Sequence, residues 1–255
     1  MTIPLLIATW NRGKIHEMKA LLADLAQKNS GTAGETQSIS PTCRDVSLSS
    51  IQSENQQGNL HIKDAIFDLL TLSDVDIKFR VAEDGDSYID NAMRKALQYC
   101  QASGLLTLSD DSGLEVDALD GAPGLHSARY ISKPDASDAD RRRALIGNLQ
   151  SSAHPWTARF RCTVVIAVPE GWRLPEAFIP ISVVDGITLY QTEGICEGEI
   201  IDTEHGSHGF GYDPIFQLAG TSQTMAELTT EEKNQLSHRA KAVKAAIPLL
   251  RKLAG

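Results

Sequence analysis

The sequence predicts an α/β fold built on a mixed sheet, and three features carry that expectation. The chain opens with a short apolar run at residues 4–8. A polar stretch at 9–14 follows, and then Ile15, Met18, Leu21, Leu22 and Leu25 recur at helical spacing. This is a strand, a glycine-containing loop and a helix, and in doubly wound sheets the carboxyl end of such a strand faces the ligand crevice. Further on, a helical pattern over 87–103 runs straight into a buried strand at 105–109. Finally, apolar runs at 178–184 and 187–191 flank Asp185-Gly186, the signal of a tight antiparallel hairpin.

The elements follow in order. The first helix is expected to end near Gln27, and residues 29–35 are small, polar and loop-like. Residues 43–48 suggest a second strand. Residues 61–72, with Ile62, Ala65, Ile66, Leu69 and Leu70, suggest a short helix. The stretch 52–78 reads as an insertion. In the 87–103 helix Ser87 is the cap, Asp90 lies three residues on, and Gly104 stops the chain. Asn91 and Lys95, four apart, share a polar face. The strand after it is expected to end on Asp110-Asp111-Ser112-Gly113, with alternation resuming over 114–119. Residues 120–124 form a turn cluster, 138–149 a helix bearing three arginines, and 160–166 an alternating strand. A glycine-rich turn spans 206–214. One C-terminal helix starts near Thr229, with Glu232 completing a capping box and Pro248 disturbing its end. No repeat or linker divides the chain, so residues 1–255 read as a single domain.

Composition narrows the function. A hydrophobic content of 42% supports a sizeable core. A net charge of -9 argues against broad nucleic-acid binding, yet a small basic pocket for a nucleotide fits inside an acidic shell. The four cysteines form no CxxC pair, so zinc and redox readings are weak and a reduced cytoplasmic protein is expected. No signal peptide and no apolar run of roughly 20 residues is evident, so no membrane role is expected.

Four polar clusters could carry chemistry. Asn11 and Lys14 follow the first strand; Lys14 stands near a helix N-terminus, which favours anions. Glu83, Asn91 and Lys95 surround a helix start. Asp110 and Asp111 need a cation if buried, and magnesium, which prefers carboxylates, water and phosphate, suits them. A simple cap on the turn before Gly113 is the plainer reading of this pair. Lys233, His238 and Arg239 sit around the C-terminal helix, where a solvated helix face is the plainer reading. Phe210-Gly211-Tyr212-Asp213-Pro214 joins aromatic faces that can stack on a purine, or simply pack a turn.

Taken in order, these clusters resemble the inosine triphosphate pyrophosphatase family. The resemblance rests on Thr9-x-Asn11-x-x-Lys14, Glu83-Asp84-Gly85, Asn91-Ala92-x-x-Lys95-Ala96 and Asp110-Asp111-Ser112-Gly113-Leu114. It continues through Gly121-Ala122-Pro123-Gly124, Ser127-Ala128-Arg129-Tyr130, the 209–216 turn and Ser237-His238-Arg239. It implies an elongated mixed sheet flanked by helices, two lobes with the active site in the cleft between them, and a homodimer. It implies hydrolysis of non-standard purine nucleoside triphosphates (ITP, dITP, XTP) to a monophosphate and pyrophosphate. Asp111 would be the general base and, with Glu83, would hold Mg2+. Thr9, Trp10, Asn11, Arg12, Gly13, Lys14, Lys95, Ser112 and Lys233 would bind sugar and phosphates. Phe210, Gly211, Tyr212, Asp213, His238 and Arg239 would bind the base. Trp10 departs from the family pattern, which often has a small residue there. A related pyrophosphatase for other modified nucleotides and a non-catalytic nucleotide sensor are the alternatives.

Overall fold

The structure, a computed structural model, describes residues 2–27 and 67–255. Its strands are β1 (Ile3–Ile7), β2 (Phe67–Thr71), β3 (Leu106–Val116), β4 (Trp156–Val168), β5 (Ser182–Val184), β6 (Ile187–Ile200) and β7 (Phe216–Leu218). Its helices are α1 (Arg12–Gln27), α2 (Tyr88–Ser103), α3 (Asp138–Leu149), α4 (Thr230–Leu236) and α5 (His238–Ala254). The described strands form one mixed sheet in the order β2-β1-β3-β4-β6-β5, with β7 also paired to β6. β2, β1 and β3 are parallel; β3, β4, β6 and the two short strands pair antiparallel.

Side chains alternate across a strand, and that alternation builds the layers. Cys162, Val164, Ile166 and Val168 of β4 face α1 and α5, where Met18, Ala240, Val243 and Ala246 meet them. Val165 and Ala167 face the other way, onto Ala92, Ala96 and Cys100 of α2. The far ends of the long strands carry a second core. There Leu114, Val116, Trp156 and Phe160 pack with Leu145 and Leu149 of α3 and with Phe216.

Several expectations hold. α2 is capped by Ser87, whose side chain accepts from Asp90 N, and is closed by Gly104 in the left-handed conformation. Asp185 and Gly186 both take positive φ between β5 and β6, as a two-residue hairpin turn requires. The first strand of that hairpin is short: Ser182–Val184 pairs with β6, Ile181 N adds one bond to Leu189 O at 2.8 Å, and 178–180 stay outside it.

Others are corrected. Residues 67–71 are strand, not helix: Leu69 and Leu70 pair in register with Leu5 and Leu6 of β1. Residues 67–78 of the supposed insertion therefore supply a sheet strand and its exit turn. Asp110 and Asp111 do not end a strand, because β3 runs unbroken through them, paired with Val164 and Thr163 of β4. The pairing rules out the turn-cap reading. Alternation stops at Val116, and Asp117–Leu119 is a 3-10 turn. α1 starts at Arg12, so the loop is shorter than expected; Asn11 caps it by accepting from Lys14 N at 3.1 Å. The C-terminal helix is two helices. α4 has the Thr229–Glu232 capping box, and Ser237 then caps α5 by accepting from Ala240 N. α5 continues past Pro248 to Ala254. The strand expected at 43–48, the loop at 29–35 and the start of the 61–72 helix lie outside the described residues.

α5 lies directly on β6 at Gly194, where an added Cβ would sit 2.1 Å from His238 O and 2.5 Å from Ala242 N. Gly147 in α3 has open space at the same position. Gly194→Ala is therefore expected to destabilise the fold by at least about 1–3 kcal/mol through overpacking. Gly147→Ala is expected to stabilise it by about 0.5–1 kcal/mol. Denaturant titration of the two variants reads both, and an equal effect would contradict the packing described.

Candidate active site

Parallel pairing places the cleft. β1 ends at Ile7, with Ala8 N still bonded to Leu108 O, whereas β3 continues into Asp110 and Asp111. The two aspartates thus stand just beyond the carboxyl end of β1, beside the 9–11 loop and the start of α1. Because they are neighbours in a strand, their side chains leave on opposite faces.

Asp110 points to the α1 and α5 side. It is 0% exposed; its Oδ2 lies 3.1 Å from Lys14 Nζ and 3.2 Å from Arg239 Nε. Burial disfavours its charge, but Lys14, Arg239 and Lys95 more than offset this and hold the carboxyl well below the usual carboxylate range. Arg239 is equally buried. Its Nη1 pairs with Glu17 and its Nη2 donates to Ser112 Oγ at 3.0 Å. Glu17 also accepts from Lys233 Nζ at 2.7 Å, and Lys233 in turn reaches Asp213 Oδ2 at 2.7 Å. The same Asp213 oxygen accepts from Phe210 N at 2.8 Å. One line of buried charge therefore runs from the sheet to the aromatic turn.

Asp111 points to the α2 side and lines the cleft. Its Oδ2 accepts from Asn91 Nδ2 at 2.9 Å, and its Oδ1 lies 4.0 Å from Lys95 Nζ. Lys95 Nζ also pairs with Glu83 and donates to Asp110 O at 2.6 Å. Burial pushes the Asp111 carboxyl up, against the pull of Lys95 and Lys14. At Glu83 burial is overcome, and Lys95 holds the carboxyl below its ordinary value. Asp111 and Glu83 thus approach one ammonium from two elements. Among the described residues no cluster of three or more His, Cys, Asp or Glu forms a metal cage. Magnesium, however, takes one or two carboxylates together with water and phosphate oxygens, and these two carboxylates fit that donor set.

His238 also lines the cleft and stacks on Phe160, with ring centroids 4.7 Å apart. Burial, together with Arg239 and Lys233, holds His238 well below its ordinary pKa, so the imidazole is neutral. Its Nδ1 is buried without a partner among the described residues. Lys233 Nζ and the Arg239 guanidinium lie 5.2 and 5.8 Å from the Phe210 ring centre. Neither His238 nor Arg239 is on a solvated helix face.

The cleft has a volume of about 400 Å³. It gathers Thr9, Trp10, Asn11, Lys14, Glu83, Lys95, Asp111, Ser112, Phe210, Gly211, Tyr212, Asp213, Lys233, His238 and Arg239. Arg12 and Gly13 do not line it. Gly13 acts indirectly, since a Cβ there would lie 2.6 Å from the Phe210 ring. Sequence reasoning missed Glu17, Arg80, Tyr99, Asp138 and Arg141, and it assigned no role to Asn91, Ser127 or Arg129 although the resemblance included them. Glu17 had one signal: it stands three residues after Lys14 on α1, beside the core residue Met18.

A mixed α/β sheet with a cleft of paired carboxylates, lysines and aromatic faces defines a protein suited to a phosphorylated ligand with a flat ring. The chain belongs to the Ham1 family, whose sequence pattern matches residues 5–249. It is 34% identical over 253 residues to a dITP/XTP pyrophosphatase of Prochlorococcus marinus, covering 99% of this chain and 96% of that one. A dITP/XTP pyrophosphatase of Desulforamulus reducens is 43% identical over 174 residues, covering 68% of this chain and 78% of that one. Among solved structures, a HAM1 protein from Coxiella burnetii superposes with a TM-score of 0.69 at 25% identity, covering 98% and 100% of the two chains. The Staphylococcus aureus Ham1 protein gives 0.66 at 27% identity, covering 98% of each.

Asp110→Asn leaves Lys14 and Arg239 without their shared carboxylate and is expected to cost about 3–5 kcal/mol at pH 7. Because the folded carboxyl titrates below its unfolded value of roughly 4, its stabilisation is present above pH ~4 and fades as pH falls below that. The gap between wild type and variant in urea titrations should therefore be smaller at pH 3 than at pH 7. An unchanged gap would remove Asp110 from this role.

Proposed function

We propose that this protein hydrolyses non-standard purine nucleoside triphosphates, dITP and XTP among them, at the α–β phosphoanhydride. The products are a nucleoside monophosphate and pyrophosphate. The observation that carries the reading is the division of the two adjacent aspartates between opposite sheet faces. Asp110 is locked into the frame, and Asp111 is left facing the cleft. The relatives named dITP/XTP pyrophosphatase support the same conclusion.

Asp111 is the base. Its burial makes it a better proton acceptor than an exposed aspartate, and the Asn91 amide fixes its orientation. A water held against Asp111 loses a proton to it while attacking the α-phosphorus; the bond to the bridging oxygen breaks and pyrophosphate leaves. Glu83 and Asp111 would hold magnesium, which supplies charge neutralisation on the phosphate oxygens. Lys14 and Lys95 add positive charge at the same end of the cleft.

Base choice falls to other residues of the cleft. Inosine and xanthosine carry a 6-oxo group and an N1 proton, where adenosine has an amine and a bare N1. The N–H groups that Arg239 does not use in its own pairs, or a neutral His238 ring, would satisfy the oxygen. Adenine would leave such donors unpaired, which is heavily penalised in a buried site.

A homodimer working in the cytoplasm completes the reading. Ile179, 90% exposed, and the exposed Ile181 and Val183 lie along the β5 edge and offer apolar surface for self-association. Among the described residues no helix is long and apolar enough to cross a membrane. Sedimentation should give a single species of twice the chain mass; a monomer at micromolar concentration would contradict the dimer.

With magnesium, pyrophosphate release from dITP and XTP is expected to exceed that from dATP by at least about a hundredfold in kcat/KM. Comparable rates on all three would sink the specificity. Asp111→Asn should lower kcat by about 10²–10⁴-fold with little change in melting temperature. Wild-type turnover in that variant would exclude Asp111 as the base. Tight binding without turnover by the wild-type chain would make it a sensor instead.

A further inference from the structure

The cations lining the cleft are not equally available. Lys14 is held by Asp110, Lys95 by Glu83, Arg141 by Asp138, and Lys233 and Arg239 by Glu17 with Asp213 or Asp110. Arg129 donates to Glu83 O and to His126 Nδ1. Arg80 lines the same cleft and is exposed. Among the described residues, no carboxylate or hydrogen-bond acceptor engages its guanidinium.

Its placement is nevertheless fixed. Trp10 Nε1 donates to Phe79 O at 3.3 Å. The Phe79 ring stacks on Tyr99 at 5.3 Å, and Val81 N donates to Tyr99 Oη at 3.2 Å. The backbone is thus pinned on both sides of Arg80. The guanidinium itself rests over the Trp10 ring, 5.6 Å from its centre. A cation over an indole face is attracted to it, and an arginine there keeps its N–H fork free at the edge. Thr9 and Asn11, on either side of Trp10 in the chain, line the same cleft together with Lys14 and Glu83, the residues that the proposed reading assigns to phosphate and metal.

We infer that Arg80, carried on the face of Trp10, binds the phosphates of the leaving pyrophosphate. The inference rests on the proposed pyrophosphatase reading and adds to it a substrate-binding residue and its mount. Planar guanidinium forks match phosphate oxygens in pairs, and Arg80 brings charge that no carboxylate of the described structure already cancels. It engages the part of the substrate that departs, so it should be felt by triphosphate and pyrophosphate and not by monophosphate.

The test compares wild type with Arg80→Ala and Arg80→Lys in the full chain with magnesium. For Arg80→Ala, KM for dITP and the inhibition constant of inorganic pyrophosphate are each expected to rise about tenfold, the loss of one charged hydrogen-bonding group. The inhibition constant of dIMP and the melting temperature should stay at their wild-type values. Arg80→Lys should recover part of the loss, since it keeps the charge without the fork. An unchanged pyrophosphate constant, or equal movement of the pyrophosphate and dIMP constants, would overturn the assignment. If the wild type turned over no nucleoside triphosphate, the activity reading would fail by itself. Calorimetric titration of pyrophosphate into the same variants would then still decide Arg80: weaker binding by Arg80→Ala upholds it, and equal binding overturns it.

Discussion

A single buried carboxylate organises this molecule. Asp110 sits in the sheet with no exposure to water, and a charge in that position persists only if cations come to it. Lys14 comes from α1 and Arg239 from α5. These two residues are separated by almost the whole chain, so the pairing ties the first helix and the last to one strand. Arg239 then brings Glu17, Glu17 brings Lys233, and Lys233 brings Asp213 with the amide of Phe210. The aromatic turn is held in place by electrostatics that begin in the sheet.

The pleat of β3 separates frame from chemistry. Had Asp110 and Asp111 been two residues apart, both would have faced one side and competed for the same cations. As neighbours they serve different layers. The α1 and α5 layer neutralises Asp110, while the α2 layer gives Asp111 an amide and a more distant ammonium. This explains why Asp111 remains chemically open although it is almost as buried as its neighbour.

Much of the fold could be read from local signals. α2 carried its own start and stop in Ser87 and Gly104, and the hairpin carried its turn in Asp185-Gly186. The misreadings arose where pairing overrode local preference. Aspartate is a poor strand former, so β3 read as ending at Asp110, yet β4 pairs with it on both sides of that point. Residues 67–71 are short and apolar, a pattern compatible with helix or strand; the partner β1 decided it. The break between α4 and α5 is signalled by Ser237, but α5 begins immediately after it, so the helical pattern opened by the capping box at Thr229 reads across the join. The residues given a base, metal or substrate-binding role from the resemblance share one cleft apart from Arg12 and Gly13, while Asn91 and Asp110, also singled out, are buried and do not line it. Glu17 was hidden because its partner Arg239 is 222 positions away, a distance over which no local pattern operates.

Glu17 has a consequence for how such a cleft can change over generations. It holds two cations that line the cleft, Lys233 and Arg239, and each of those cations also holds a second carboxylate. Replacing Lys233 leaves the buried Asp213 without a cation, and replacing Glu17 removes one of the two carboxylates from each cation. Interactions of this kind are strongly non-additive, so paired changes are expected to be tolerated better than single ones. Substitutions within this network are therefore coupled across α1, α4 and α5, whereas an exposed side chain on the cleft, such as Arg80, stands outside it and can change alone.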